Sequence, residues 1–228
     1  MSKQIREDAL FIADAHYPHH GNDFLKILKK IKKQELQVSQ LFLMGDIFDL
    51  LFGYNRHIQS FSKEAIKLLQ ELSFTIEIIY MEGNHDFCLK DIFPKITIYS
   101  REEQPAHFKL NHLDVYLTHG DKYKTGWGYN LYSKLLRNRF TLKLLKAFGK
   151  QIINHRMAKL QRKSICQEFI GYQKRFDAII QHYPQDCLII EGHFHQAVTY
   201  KNYISLPSLA CQKSVAIVKN GKLIFQTI

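Results

Sequence analysis

A short apolar run that ends in a cluster of polar side chains constrains the fold of this sequence most. Residues 76–81 predict a buried strand, because the run is brief, apolar and bounded by a turn signal. Gly83 permits a sharp turn after it. Asn84, His85 and Asp86 then supply an amide, an imidazole and a carboxylate. Three such groups directly after a core strand indicate a functional site at the strand end.

Four more stretches of the chain repeat this pattern. In each, a short apolar strand is followed by side chains of the types that bind metal ions. Two such residues at positions i and i+2 lie on the same side of an extended chain, so a pair of this kind can bind one ion. The candidate ligands are Asp14, His16, Asp46, Asn84, His119, His193 and His195.

The composition of this ligand set indicates two metal ions. A tetrahedral zinc site takes four ligands, so seven exceed its needs. We expect two divalent ions about 3.5–4 Å apart, with one carboxylate bridging them. Nitrogen and oxygen ligands without a thiolate favour manganese, iron, zinc or cobalt over magnesium or calcium. Of these, manganese is the metal that we expect.

The five motifs, in this order, resemble those of the calcineurin-like metallophosphoesterases. The resemblance implies an α/β (four-layer α+β) fold, in which two mixed β-sheets pack as a sandwich flanked by helices. It also implies that Asp46 bridges two ions, of which each has its own further ligands. The motifs are Asp14-x-His16, Gly45-Asp46, Gly83-Asn84-His85-Asp86, His119-Gly120 and Gly192-His193-Phe194-His195. The implied ligands are Asp14, His16 and His195 for one ion, and Asn84, His119 and His193 for the other.

The same resemblance implies a metal-dependent hydrolysis of phosphoric esters. Two ions polarise a phosphoryl oxygen and lower the pKa of a shared water, whose hydroxide attacks phosphorus. We expect His85 to contact the phosphate and to stabilise or protonate the leaving oxygen. We expect Asp86 to orient the ring of His85, with a turn or helix-cap bond as the alternative role of this carboxylate.

The length of 228 residues fits one domain, 1–228, into which a helical cap is inserted at about 122–183. Residues 24–33 and 64–72 predict amphipathic helices, and Asn220-Gly221 between apolar runs predicts a hairpin. The segment from Lys122 to Arg175 contains 14 of the 32 Lys and Arg residues and one acidic residue. The net charge of +11 therefore comes from the cap and calls for an anionic partner.

Within the superfamily, the chain most resembles the UDP-2,3-diacylglucosamine hydrolases of lipid A biosynthesis. This resemblance rests on three features: the length of the chain, the sequence around its motifs, and a basic cap that is rich in Leu and Phe. It implies hydrolysis of the pyrophosphate bond of UDP-2,3-diacylglucosamine to UMP and 2,3-diacylglucosamine 1-phosphate. It also fits peripheral contact with the anionic inner-membrane surface. The candidate substrate contacts are Tyr123, Trp127, Arg156, Lys159, Arg162 and Lys163.

The chain departs from the well-known branch of that family at two places. His85 stands where that branch has arginine, and Phe194 and Gln196-Ala197 replace threonine and Arg-Pro. These departures are compatible with a divergent branch of the family that carries out the same reaction. The 14 basic residues of the cap segment also leave a nucleotide phosphodiesterase or nuclease that acts on DNA or RNA as an alternative. We expect no nucleic acid partner, because large apolar residues alternate with the basic ones.

A non-catalytic scaffold is a further alternative, although every ligand position is filled. The cap can also be simply packed helices with solvated lysines.

The remaining features predict a cytoplasmic protein. Cys88, Cys166, Cys187 and Cys211 are widely spaced, so we expect four reduced thiols and no disulfide. No run approaches the roughly 18 apolar residues that span a bilayer. The polar N-terminus lacks the apolar segment of a secretion signal. Peripheral association with the cytoplasmic face of the inner membrane fits these features.

Overall fold

The fold contains 14 strands and seven α-helices in the part of the chain that the computed structural model describes, residues 3–123, 126–167 and 169–228. The strands are β1 (Lys3–Ile5), β2 (Ala9–Ile12), β3 (Gln40–Leu43), β4 (Leu51–Phe52), β5 (Glu77–Met81), β6 (Asp86–Phe87), β7 (Thr97–Tyr99), β8 (Ala106–Leu110), β9 (Leu113–Thr118), β10 (Leu188–Glu191), β11 (Val198–Tyr200), β12 (Tyr203–Ser205), β13 (Ser214–Lys219) and β14 (Lys222–Thr227). The helices are α1 (Asp23–Lys32), α2 (Arg56–Ser60), α3 (Lys63–Leu72), α4 (Trp127–Leu136), α5 (Arg139–Gln161), α6 (Tyr172–Ile179) and α7 (Leu209–Gln212).

Two mixed six-stranded sheets form the centre of the molecule, as the family resemblance implies. The first has the order β14-β13-β2-β3-β5-β7, in which β2, β3, β5 and β7 are parallel. The second has the order β1-β8-β9-β10-β12-β11, in which β9, β10 and β12 are parallel. Parallel neighbours end at the same edge of a sheet, so the polar segments that follow them meet there.

The buried residues explain why the two sheets face each other. Phe11 and Phe42 of the first sheet stack at 4.4 Å and pack against Phe108 of the second. Side chains alternate along a strand, so Leu10 of β2 points to the opposite face, into the cluster that includes α1 and α3. A third cluster joins α6 to the outer face of the second sheet. The layers are therefore helix, sheet, sheet and helix.

Three helices, α4 to α6, lie between β9 and β10, in the segment for which the sequence predicts an inserted cap. Leu142, Ile153 and Met157 of α5 belong to the apolar cluster on the outer face of the first sheet. Phe176 and Ile179 of α6 pack on the second sheet. The cap therefore contacts both halves of the sandwich. No helix in the described ranges is long and apolar enough to cross a membrane.

One prediction about the cysteines is wrong. Cys166, in the segment after α5, forms a disulfide with Cys211 of α7, and their Cα atoms are 5.4 Å apart. Cys88 and Cys187 remain free thiols, as expected. The two bonded residues are separated by 45 positions, and spacing alone gives no signal of such a pair. The bond ties the cap to the core beside His195, whose Nδ1 lies 3.5 Å from Cys211 Sγ.

Candidate metal centre

The predicted ligands lie together at the carboxyl ends of five strands. Each strand ends in a buried residue, and each ligand occupies the turn that follows it, where the chain leaves the sheet. In chain order, Asp14 and His16 follow β2, Asp46 follows β3, Asn84 follows β5, His119 follows β9, and His193 and His195 follow β10.

The side chains form two groups, each with the composition of a metal site. Asp14, His16 and His195 form the first, and Asp46, His119 and His193 form the second; within each group the ligand atoms lie within 4.8 Å of one another. Asn84 Oδ1 lies 3.3 Å from His119 Nε2 and so belongs with the second group. This is the division that the family resemblance implies, with Asp46 on the side of the second group.

The geometry around His119 fits a cation. The ring donates from Nδ1 to the carbonyl of Met44 at 2.9 Å, which fixes its orientation. Its Nε2 then lies 3.2 Å from His193 Nδ1, 3.3 Å from Asn84 Oδ1 and 3.5 Å from Asp46 Oδ2. Four potential ligand atoms thus converge on one small space. Burial would lower the pKa of His119, but the Asp46 carboxylate holds that pKa well above its usual value.

The geometry of the first group, Asp14, His16 and His195, also fits a bound cation. Asp14 Oδ1 and His16 Nδ1 are buried, and neither has a hydrogen bond of good geometry to a residue in the described segments. His195 Nε2 is 3.2 Å from Asp14 Oδ1. Burial lowers the pKa of His16 to about 4, and burial together with His119 lowers that of His193 to about 4. Both rings are therefore neutral at neutral pH, the form in which imidazole binds a metal.

The backbone at these positions is strained. Asp14, His16, Asp46, His193 and His195 all have a positive φ between 45° and 67°. This region is unfavourable for side chains with a Cβ, and such residues concentrate at functional sites.

The two neighbouring glycines make room for the ligands. A Cβ at Gly45 would lie 2.3 Å from His119 Nδ1, and a Cβ at Gly83 would lie 2.3 Å from Asp46 Oδ1. Both positions therefore require glycine.

The structure corrects the role predicted for Asp86. Its buried carboxylate accepts hydrogen bonds from the backbone N–H groups of residues 46, 47, 48 and 83 and from the hydroxyl of Tyr80, at 2.6–3.2 Å. It does not contact the ring of His85. The Nδ1 of His85 donates instead to the carbonyl oxygen of Asp49 at 2.7 Å. Asp86 therefore holds the two ligand turns together, and Asp49 orients His85.

Sequence reasoning also missed the side chain of Asp49 and two histidines beside it. The carboxylate is buried, and its two oxygens bind the Nδ1 atoms of His19 and His20 at 2.8 and 2.7 Å. His20 Nε2 lies 3.3 Å from the carbonyl of Lys163 in the cap, and its ring contacts His16. An acid three residues after Asp46 and two histidines shortly after His16 were the available signals.

Two cavities adjoin the candidate centre. The smaller, about 250 Å³, is lined by ligands of both groups and by cap residues Lys163, Ser164, Ile165, Gln167 and Phe169. The larger, about 1200 Å³, lies between the cap and the core and has a mostly apolar lining. Asn84, His85 and Lys163 line both, so the two spaces meet at these residues.

The predicted substrate contacts divide into two sets. Arg156, Lys159, Arg162 and Lys163 line the larger cavity. Tyr123 and Trp127 are among the lining residues of neither cavity, and their contact with substrate stays a prediction. The ring of Tyr123 stacks on His182 at 4.4 Å, and Trp127 is 81% exposed at the start of α4.

Comparison with known proteins assigns the family. Residues 9–206 match the family model of the calcineurin-like phosphoesterases. The chain belongs to the calcineurin-like phosphoesterase family. With its candidate metal groups and its hydrolase relatives, it is a metal-dependent phosphoester hydrolase of this family.

The chain is similar to curated relatives in the family named UDP-2,3-diacylglucosamine hydrolase. It is 26% identical over 206 residues to the one from Coxiella burnetii (strain RSA 493 / Nine Mile phase I), covering 82% of this chain and 80% of that one. It is 25% identical over 204 residues to that of Photorhabdus laumondii, covering 84% and 83%. Among solved structures, the Yfce phosphoesterase from E. coli aligns at a TM-score of 0.47 and 13% identity, covering 93% of this chain and 88% of that one.

Proposed function

We propose that this phosphoesterase hydrolyses the pyrophosphate bond of UDP-2,3-diacylglucosamine, giving UMP and 2,3-diacylglucosamine 1-phosphate. The larger cavity carries the proposal. It is mostly apolar, and it meets the metal pocket at Asn84, His85 and Lys163. A substrate with acyl chains on one side of a diphosphate needs such a pair of adjoining spaces. The names of the relatives support the same substrate.

The residues around the metal pocket have distinct roles in this proposal. Two divalent ions, once bound, would polarise the phosphoryl oxygen and activate the attacking water. Asp14, His16 and His195 would hold one ion, and Asn84, His119 and His193 the other, with Asp46 between them. Manganese remains the metal we propose.

His85 is the residue we propose for the leaving oxygen. Its Nδ1 is bonded to the Asp49 carbonyl, so Nε2 is the nitrogen left to bind or protonate that oxygen. Its backbone N–H donates to Asp46 Oδ1 at 2.8 Å, which ties the ring to the metal pocket. Lys163 lines both cavities and would place a positive charge beside the diphosphate.

The exposed face of α4 supports peripheral binding to an anionic membrane. Trp127, Leu131 and Leu135 are 81%, 44% and 55% exposed and recur every four residues, which places them on one face of the helix. The cap around them is strongly basic. An exposed apolar row with basic neighbours is the pattern of helices that lie on a lipid surface. An acylated substrate would be reached from such a surface.

The test is product analysis with protein loaded with Mn²⁺. UDP-2,3-diacylglucosamine in detergent micelles is compared with bis(p-nitrophenyl) phosphate, a diester without acyl chains. Release of UMP at a far higher kcat/KM than the generic diester supports the proposal. Hydrolysis of the generic diester alone would refute the substrate and direct attention to nucleic acids.

A pair of variants tests the cavity itself. Ile152 lines the cavity and is 54% exposed, whereas Ile170 is 86% exposed and does not line it. Ile152→Glu should raise KM for the acylated substrate by about tenfold or more, since it brings a charge among apolar groups. The matched variant Ile170→Glu should not. Equal effects of the two would contradict the role of the cavity.

A further inference from the structure

Two arginines of the cap reach into the core and bind the backbone beside the predicted ligands. Arg137, the C-cap residue directly after α4, donates from Nη2 to the carbonyl of Gly83 at 2.8 Å. Arg175, in α6, donates from Nη2 to the carbonyl of Gly120 at 2.9 Å. Gly83 directly precedes Asn84, and Gly120 directly follows His119. Each arginine therefore holds a turn that carries a ligand of the second group.

Arg175 also reaches the third ligand turn of that group. It is 6% exposed and donates from Nε and Nη2 to the fully buried carboxylate of Glu191, at 3.0 and 2.9 Å. Glu191 ends β10, two residues before His193. The guanidinium also lies over the ring of Phe194 at 5.0 Å. A single cap side chain thus links the strand end at Glu191 to the His119 turn.

Arg137 is held in a comparable way on the other side. Its side chain is 10% exposed, and Nη2 is 3.6 Å from Asp121 Oδ2. Asp121 also forms an ion pair with Arg101 at 3.1 Å, so the negative charge is shared. The guanidinium stacks 5.3 Å over the ring of Phe87. The arginine is therefore fixed between the cap and the turn of Asn84, where it also lines the larger cavity.

The first group is connected to the cap differently. Within the described ranges, the hydrogen bonds of Arg137 and Arg175 do not extend to the turns of Asp14 and His16, and Arg175 comes near His195 only through the ring of Phe194. The cap contacts that side through the Lys163 carbonyl and the disulfide of Cys211. The backbone hydrogen bonds of the two arginines thus hold turns of the second group.

We propose that Arg137 and Arg175 are positioning residues that set the affinity of the ion bound by Asn84, His119 and His193. This rests on the ligand assignment of the proposed function, but not on its substrate. Outer partners that orient metal ligands typically change metal affinity about 10–100-fold when they are lost. Removal of Arg137 frees the Gly83 carbonyl and so loosens the Asn84 side chain. The affinity of the ion held by the Asp14 group should not change when Arg137 is removed.

The experiment is calorimetric titration of metal-stripped protein with Mn²⁺, without substrate. Wild-type protein should bind two ions. Arg137→Ala should bind the ion of the Asp14 group with unchanged affinity and the ion of the Asn84, His119 and His193 group about 10–100-fold more weakly. Guanidinium ion at millimolar concentration should restore part of the lost affinity. Lys134→Ala, an exposed position on the same helix, is the matched control and should leave both affinities unchanged. Circular dichroism checks that each variant is folded.

Two further variants keep the test decisive. Arg137→Lys retains a charge beside Asp121 if Arg137→Ala fails to fold, and it should show the same selective loss in smaller measure. Arg175→Lys retains a partner for Glu191 and should weaken the same ion. Equal weakening of both ions, unchanged affinities, or a lack of guanidinium rescue would overturn the proposal. A wild-type protein that binds fewer than two ions would overturn both this proposal and the assignment of the metal ligands. The proposed substrate is tested separately, by the product analysis described above.

Discussion

The Nδ1 of His85 lies 2.7 Å from the carbonyl oxygen of Asp49, in the segment that follows the Asp46 turn. Because a carbonyl only accepts hydrogen bonds, this contact keeps a proton on Nδ1 and leaves Nε2 free to act on a substrate. The same Asp49 binds His19 and His20 through its carboxylate. One residue thus connects the catalytic candidate to a histidine pair beside the first metal group.

His85→Ala should retain both metal ions and lose about 10²–10⁴-fold in kcat, the usual contribution of a positioned acid or base. The ring is not a member of either candidate metal group. Metal content by mass spectrometry and steady-state kinetics check both points, with His112→Ala at an exposed site as the control. Full activity of the His85 variant would remove its proposed role.

Asp46→Ala should lose both ions. Its carboxylate belongs to the second group. Burial lowers the pKa of His16 in the first group, and the charge of Asp46 opposes that lowering, so this carboxylate acts on both groups. Metal analysis after dialysis measures the loss, and Asp114→Ala at an exposed acid is the control. Two ions retained in the Asp46 variant would refute the bridging assignment.

Asp86→Ala should lower the free energy of unfolding by about 3–5 kcal/mol, since it leaves several buried donors without their charged acceptor. Tyr80→Phe removes only the hydroxyl that donates to Asp86 at 2.6 Å and should cost about 1 kcal/mol. Urea unfolding of both variants measures the difference. Equal, small effects would show that Asp86 does not hold the ligand turns.

Reduction should destabilise the protein through the Cys166–Cys211 bond. The disulfide restricts the unfolded chain, and for a separation of 45 residues its loss lowers the free energy of unfolding by at most about 4 kcal/mol. Alkylation of unfolded protein should label two thiols, Cys88 and Cys187, and four after reduction. Urea unfolding of Cys166→Ser should match that of the reduced wild type. Four labelled thiols without a reductant would contradict the bond.

Trp127 should report membrane binding directly, because it is the only tryptophan in the chain. Its fluorescence should shift to the blue with phosphatidylglycerol vesicles, and not with phosphatidylcholine vesicles, and the shift should weaken with salt. Leu131→Lys should abolish it. A shift that is equal for both lipids, or absent for both, would argue against an anionic membrane as the partner of α4.

Several elements of the fold were predictable because their sequences obey local rules. The amphipathic helices at 24–33 and 64–72 correspond to α1 and α3, and the Asn220-Gly221 turn joins β13 to β14. The strand-end ligands needed only apolar runs and the residue types that follow them. Their grouping in space required the family resemblance.

The residues that escaped prediction act through the tertiary structure. Arg137 and Arg175 look like any basic residues of a helical cap, and only the fold brings them to glycine carbonyls. Asp86 was assigned to its neighbour His85 because the two are adjacent in sequence. Its carboxylate turns instead to the backbone of residues 46–48. Such contacts between distant segments leave no periodic pattern in a sequence.

Each candidate metal group takes ligands from both sheets. Asp14 and His16 follow a strand of the first sheet and His195 a strand of the second, and Asp46 likewise faces His119 and His193 across the sandwich. A bound ion is therefore a cross-link between the two halves of the molecule. Folding and metal supply become linked equilibria: an ion at 100 times its Kd adds about 2.7 kcal/mol to the folded state if the unfolded chain does not bind it. A cell short of metal would then lose the protein itself as well as its activity.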